Sequence, residues 1–256
     1  MSIEQQIADL SQQFQETAVP WNAKIAELNV ARDLAVQAAQ EQAAQLASKF
    51  NPQAIRVLYI DPANGDDAND GTTAPGDYQA ANAVQSWERL FDLVDNSGRH
   101  QVRLCNDVVA DTIAAYNSFN PLLEIAGYDT LGVASERRSI TFQDATNNAT
   151  HVGGLATFGA LQLRLRNLDL VLDSLRDTGA FMSNGSAMHV TYTNGTISKA
   201  NPGAAIGEIF RPVGLGVFHW TNVVHDPSAE GNIIHNIGAG ADPNANPLYL
   251  ANFTSA

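Results

Sequence analysis

The chain has one cysteine, Cys105, so an intrachain disulfide is excluded. Its place between Leu104 and Asn106 marks a small packed residue rather than a reactive thiol. Basic residues are scarce and scattered: 14 Lys and Arg against 27 Asp and Glu leave a formal net charge of -13. Nucleic acid is therefore not an expected partner, because phosphate neutralisation needs clustered cations. The sequence offers no run of about 18 apolar residues, and its N-terminus lacks the basic and apolar regions of a signal peptide. Neither membrane insertion nor signal-peptide export is expected. What remains, 45% hydrophobic and only 16% charged residues over 256 positions, is ample for a buried core.

The first fifty residues have no glycine and a single proline, Pro20, and are rich in Gln and Ala. Ile3, Ile7, Leu10 and Phe14, followed by Trp21, Ile25 and Leu28, show the alternating spacing of four and three that forms a coiled-coil seam. The seam changes phase around Pro20, where a stutter or helix break is expected. Beyond Leu28 it thins to Arg32, Ala35, Ala39, Gln42 and Leu46. A helix with so little to bury is marginal alone, so residues 1–50 are read as an oligomerising stalk, up to about 70 Å long if unbroken. The alternative is one amphipathic helix lying on its own domain. Phe50-Asn51-Pro52 ends the segment.

Farther along, one pattern returns: apolar, any, apolar, any, then a turn residue. It ends at Asn106, Gly127, Asp144, Asn167, Asn194, Asn222 and Asn252. Period-two alternation marks a strand with one buried face, and Asn, Asp or Gly tolerates a tight bend. Aligned on the turn residue, the inward positions are Leu104, Phe142, Leu165, Tyr192, Trp220 and Leu250, with Val102, Ile140, Leu163, Val190, Phe218 and Leu248 two places earlier, and Leu123-x-Ile125-x-Gly127 is a close variant. Such copies at irregular intervals predict a solenoid of about seven short rungs over residues 98–256, its turn residues stacked about 4.8 Å apart. The competing fold is an antiparallel sandwich, for which Asn194-Gly195 is the best hairpin signal.

Between stalk and rungs, residues 51–97 hold a short strand (57–60), a loop rich in Asp, Asn and Gly, and a helical pattern from about Tyr78 with Val84, Trp87, Leu90, Phe91 and Val94 on one face. Asp61, Gly65, Asp67 and Gly71, with Asp70 before the second glycine, followed by the helix carrying Trp87, resemble the start of bacteriophage tail fibres and tailspikes of the right-handed parallel β-helix, or pectate-lyase-like, class. Pro75-Gly76-Asp77-Tyr78 departs from the Pro-Phe or Pro-Trp of that family. The resemblance implies a mainly β fold with a helix capping the open first rung. It also implies an elongated homotrimer attached to baseplate or other tail proteins by its N-terminus, made in the host cytoplasm and carried on the virion. The β-helix would meet a host-surface glycan or a further fibre protein, a structural and adhesive role.

Related spikes cleave polysaccharide, so the alternative is a depolymerase, glycosidase or lyase, with an intersubunit site. Two acids acting on one glycosidic bond lie about 5 to 9.5 Å apart. Asp169 and Asp173 share a strand face four residues apart, about 13 Å, which is too far. Glu208, Asp226 and Glu230 fall in expected long loops and are the remaining catalytic candidates. Asp61, Asp66, Asp67 and Asp70 are hard oxygen donors, but from Asp66 the calcium-loop register places Ala68 at position 3 and Asp77 at position 12. His189, His219, His225 and His235 form no ligand spacing, and the chain lacks a phosphate-binding loop and a nucleophile elbow. No cofactor or metal is assigned.

Overall fold

The computed structural model describes residues 3–16, 24, 32, 55–72, 82–94, 99–116, 122–184, 187–200 and 207–254. The chain divides into two compact units, Met1–Pro52 and Gln53–Ala256. In the first unit residues 3–16 are helical (α1) and exposed throughout. Among the described residues no helix is long and apolar enough to cross a membrane.

The second unit is mainly β, and every strand pairing in its sheets is parallel. Its strands are β1 (Ile55–Ile60), β2 (Arg99–Leu104), β3 (Val108–Ala110), β4 (Ile113–Tyr116), β5 (Leu122–Gly127), β6 (Arg138–Gln143), β7 (Gly154–Thr157), β8 (Leu161–Asp173), β9 (Gly179–Ser183), β10 (Ala187–Lys199), β11 (Glu208–Pro212), β12 (Leu215–His225) and β13 (Tyr249–Ala251). Helix α2 (Trp87–Leu93) falls between β1 and β2 in the chain.

A nine-stranded sheet runs β1-β2-β5-β8-β10-β12-β13 with β3 and β6 beside it, and a four-stranded sheet runs β11-β9-β7-β4. The chain visits three faces in turn. β2, β3 and β4 are followed by β5, β6 and β7, which stack on them in the same order. In β8 the first two faces merge: Leu161–Arg166 continues the column of β5, and Leu168–Asp173 that of β6. The bend between them is Asn167, at φ 51°. Asn194 and Asn222 make the same bend in β10 and β12, at φ 56° and 54°, a left-handed conformation that Asn adopts more readily than other L residues.

This pairing excludes antiparallel sandwich strands here: Asn194-Gly195 continues a strand flanked on both sides by parallel neighbours. Three registers also change. Ile140 and Phe142 pair with Leu170 and Leu172, so Asp144 belongs to the second face and not to the column of Asn167. Leu104 pairs with Gly127, which puts Asn106 two residues beyond that column. In β13 the inward residues are Tyr249 and Ala251, opposite Gly216 and Phe218, while Leu248 and Leu250 are exposed.

Inward side chains from all three faces meet in one core. Leu58, Val102, Ile125, Leu165, Tyr192 and Trp220 stack on the first face. An aromatic chain crosses the core: Phe142 to Phe181 at 5.2 Å between centroids, Phe181 to Phe210 at 5.8 Å, Phe210 to Phe218 at 5.8 Å, and Phe218 to Tyr249 at 6.1 Å. Helix α2 contributes Trp87, Leu90 and Phe91 to this core, with Val84 and Val94 beside them. The indole N–H of Trp87 donates to the Gly154 carbonyl at 3.0 Å, tying α2 to the third face. Burial pushes the Cys105 thiol up to about 12, in keeping with a packed and inert side chain.

Candidate functional site

The three candidate acids are committed to local structure. Glu208 opens β11 rather than a loop and is buried. Its carboxylate accepts from Arg211 Nε at 2.6 Å and lies 2.9 Å from His235 Nδ1. Arg211 also donates to the Asp177 carbonyl at 3.0 Å, and Tyr249 Oη to the His235 carbonyl at 3.0 Å, so the cluster ties β11 to the segments on either side. Asp226 caps a 3-10 turn, Pro227–Ala229, by accepting from Ser228 N at 2.7 Å, a bond that lowers its pKa. Glu230 ends that turn 3.7 Å from His225 Nδ1.

The four loop aspartates likewise accept backbone hydrogen bonds. Asp61 is buried and accepts from Ala63 N, Asn64 N, Asn64 Nδ2 and Asn106 Nδ2, the last at 2.7 Å. Burial alone would raise its pKa, but these bonds, led by Asn106, hold it below the usual value. Asp66 and Asp70 close turns onto Ala68 N and Thr72 N. Asp67 reaches Gln85 N at 2.8 Å and Ser86 N at 2.9 Å, and Ser86 in turn caps α2 by accepting from Arg89 N. The loop thus docks onto the start of α2. Gly71 sits at φ 68°, and a Cβ on Gly65 would overlap backbone oxygens of Asp61 and Val84, which explains both glycines of the motif. Among the described residues, no three His, Cys, Asp or Glu side chains converge as metal ligands would.

Of the turn residues, Asn167, Asn194 and Asn222 form a ladder on the outer edge. Asn222 Nδ2 donates to Asn194 Oδ1 at 3.1 Å, Asn194 Nδ2 to Asn167 Oδ1 at 3.3 Å, and Asn167 to the Ser135 hydroxyl. Gly127 holds the matching place in β5, where a Cβ would overlap the Asn167 carbonyl. Asn106 serves Asp61 instead, and Asp144 accepts from Ser174 Oγ at 2.6 Å and Leu175 N at 2.8 Å. Asn252 pairs by its amide with the backbone of Trp220, accepting from N at 2.7 Å and donating to O at 2.8 Å. It extends the sheet past β13, and Phe253 stacks on Trp220 at 3.7 Å between centroids.

On α1, Ile3, Ile7, Leu10 and Phe14 are all exposed, the two ends at 76%. Trp21, Ile25 and Leu28 lie outside the described residues, as do Pro20 and the expected helix start near Tyr78.

One surface escaped the sequence reading. The outward positions of the first face carry Gln162, Arg164 and Arg166 on β8, His189, Thr191 and Thr193 on β10, and Val217, His219 and Thr221 on β12. Parallel register aligns them in three rows: Gln162, His189 and Val217; Arg164, Thr191 and His219; Arg166, Thr193 and Thr221. Only pairing shows the rows, because each strand separately reads as an ordinary polar alternation. No family model matches the chain, and no curated protein or solved structure matches it.

Proposed function

We propose that the protein is a shaft of the phage tail-fibre class: a parallel β-helix capped by α2, assembled as a homotrimer through an N-terminal coiled coil. Its role is structural and adhesive, on the virion. The observation that carries this reading is the sequence of three faces repeated strand upon strand with parallel pairing throughout. Such stacking propagates along one axis, and a shaft needs that property. Support for assembly comes from the exposed row Ile3, Ile7, Leu10 and Phe14, since apolar residues at this spacing bury themselves by pairing with equivalent helices. The trimer number, the tail proteins at the N-terminus and the glycan or fibre partner along the β-helix are carried by the resemblance of the loop and helix at Asp61 to Trp87.

The depolymerase alternative has less support. Glu208 is held by Arg211 and His235, and Asp226 by the turn that it caps. A reducing-sugar assay on bacterial capsule and lipopolysaccharide separates the two roles: no release is expected, whereas robust release abolished by Glu208→Gln or Asp226→Asn contradicts the purely adhesive reading. Negative-stain images of the full chain test the shaft, with rods expected and compact particles contradicting it.

A further inference from the structure

We infer that the edge of β12 at residues 221–225 is a docking site for an extended segment of a partner protein, added as one more parallel strand. Such docking needs only the parallel stack, whatever the number of chains in the assembly.

The register leaves this edge open. β10 pairs with β12 as far as His225, but on the other side β13 covers only Gly216, Val217 and Phe218. The Asn252 amide then takes the place of a strand at Trp220, and Asn244 blunts β13 itself by accepting from Ala251 N at 2.8 Å. Residues 221–225 have no strand or amide of this kind beyond them among the described residues. Asp226 N donates to the Ile197 carbonyl at 2.8 Å, on the β10 side. Backbone groups alternate in direction along a strand, so those of Val223 and His225 face the open edge. An unpaired edge of this kind is a template for another strand, and its alternating N–H and C=O groups are the complement of a polypeptide backbone.

Two buried nitrogens stand at the two ends of this edge. Trp220 Nε1 and His225 Nδ1 have no hydrogen-bond partner among the described residues, although buried polar groups almost always have one. His225 also breaks its column: the inward residues beneath it on the second face are Ile140, Leu170 and Ile197. Glu230 stands 3.7 Å from its Nδ1, beyond hydrogen-bond reach. Val223 is partly buried against the core, whereas Val224 points out and is 66% exposed. An added strand would therefore place an apolar side chain over Val223 and, two residues later, a hydrogen-bond acceptor over His225. Glu230 beside His225 and the net charge of -13 disfavour a carboxylate as that acceptor, so an amide or hydroxyl on a neutral or basic segment fits.

The test traps a peptide in register on the full chain carrying Val224→Cys, where the buried Cys105 does not compete. The probe is Lys-Thr-Val-Cys-Asn-Thr-Lys, acetylated and amidated at its ends and supplied as the glutathione mixed disulfide, with Val and Asn inward and Cys facing position 224. Adjacent strands lie at a separation that a disulfide spans. One control is the same peptide with Val and Asn exchanged; the other is N-methylated at its Cys, which removes the amide that would donate to the Val223 carbonyl. The expected result is attachment about tenfold faster for the probe than for either control, with the melting temperature of the variant matching wild type because Val224 is exposed. In the free wild type the amides of Val223 and His225 should exchange with solvent faster than that of Val224, and both should slow in the probe adduct. Equal attachment of all three peptides, or protected amides at Val223 and His225 in the free wild type, overturns the inference. So do disulfide-linked pairs of the variant chain in place of peptide adducts, which would assign the edge to a second copy. Light scattering reports assembly separately: a monomer that takes the probe in register keeps this site and removes the trimeric shaft, whereas a trimer with closed edges removes this site and leaves the shaft.

Discussion

The hydroxyl of Tyr192 lies 2.7 Å from the Leu168 carbonyl oxygen and 2.9 Å from that of Thr196, so one buried side chain spans the bend that Asn194 makes. Its ring fills the space left by the missing Cβ of Gly195, where an added carbon would overlap both the Tyr192 hydroxyl and the Leu168 carbonyl. Tyr192→Phe should cost about 1–3 kcal/mol by leaving buried carbonyls short of a donor. Gly195→Ala should cost about 3 kcal/mol by overpacking, and Tyr192→Phe should not rescue it, because the Leu168 carbonyl still blocks the methyl. Denaturant unfolding of the two single variants and the double variant measures both.

The asparagine bends lead to a different expectation. Asn194→Val forces a β-branched residue to φ 56° and should cost about 1–3 kcal/mol. Asn194→Gly keeps the conformation and loses only exposed ladder bonds, so its loss should stay within about 1 kcal/mol. Comparable losses in the two variants would show that the ladder bonds, and not the backbone, hold the bend.

Stability should fall at both ends of the pH range. Asp61 and Asp67 have carboxyls below the usual value because their hydrogen bonds outweigh burial, so the folded state binds protons less readily than the unfolded chain. Their contribution is present above the unfolded pKa, about 3.9, and is lost as pH falls through the lower folded values. Burial raises the Tyr192 phenol, assisted by the Asp169 charge. Its contribution is complete below the unfolded value, about 10, and is lost as pH rises toward the folded one. Melting curves from pH 2 to 11 should show both limbs, with the alkaline limb shallower in Tyr192→Phe and the acid limb shallower in Asp67→Asn.

At Glu208 the expected effect of substitution is structural. Arg211→Ala removes one of two partners from a buried carboxylate and should destabilise by about 3 kcal/mol. Glu208→Gln in the same background should recover part of that loss by removing the unbalanced charge. Thermal melts of the two variants check this, and no recovery would mean that packing of the Arg211 stem matters more than its charge.

How far the sequence was legible depended on how well each segment declared its phase. Val190-Thr191-Tyr192 alternates cleanly and lies as its pattern implies, with Val190 and Tyr192 inside. Leu248-Tyr249-Leu250 is apolar at three successive positions, so period two does not fix its phase. Gly216 decides it from across the sheet, leaving room for the Tyr249 ring and turning both leucines outward. In sequence Asp144 aligns with Asn167 because β5 and β6 are separate strands where β8 is continuous, and an equal motif on two faces looks like two repeats. Glu208 reads as a loop acid because its strand is short, and of its partners Arg211 lies three residues along the same strand while His235 comes from the next turn of chain. The outward rows around Arg164 needed the register of three strands, which no local pattern contains.

A shaft of the proposed kind assembles through the exposed row of α1. Light scattering of the full chain tests it directly, alongside an Ile7→Asp, Leu10→Asp variant that places charge in the row without touching the core. The expected result is a mass of three times 27.4 kDa for the wild type and a shift to lower mass in the variant. A wild-type mass of 27.4 kDa at every concentration would contradict it.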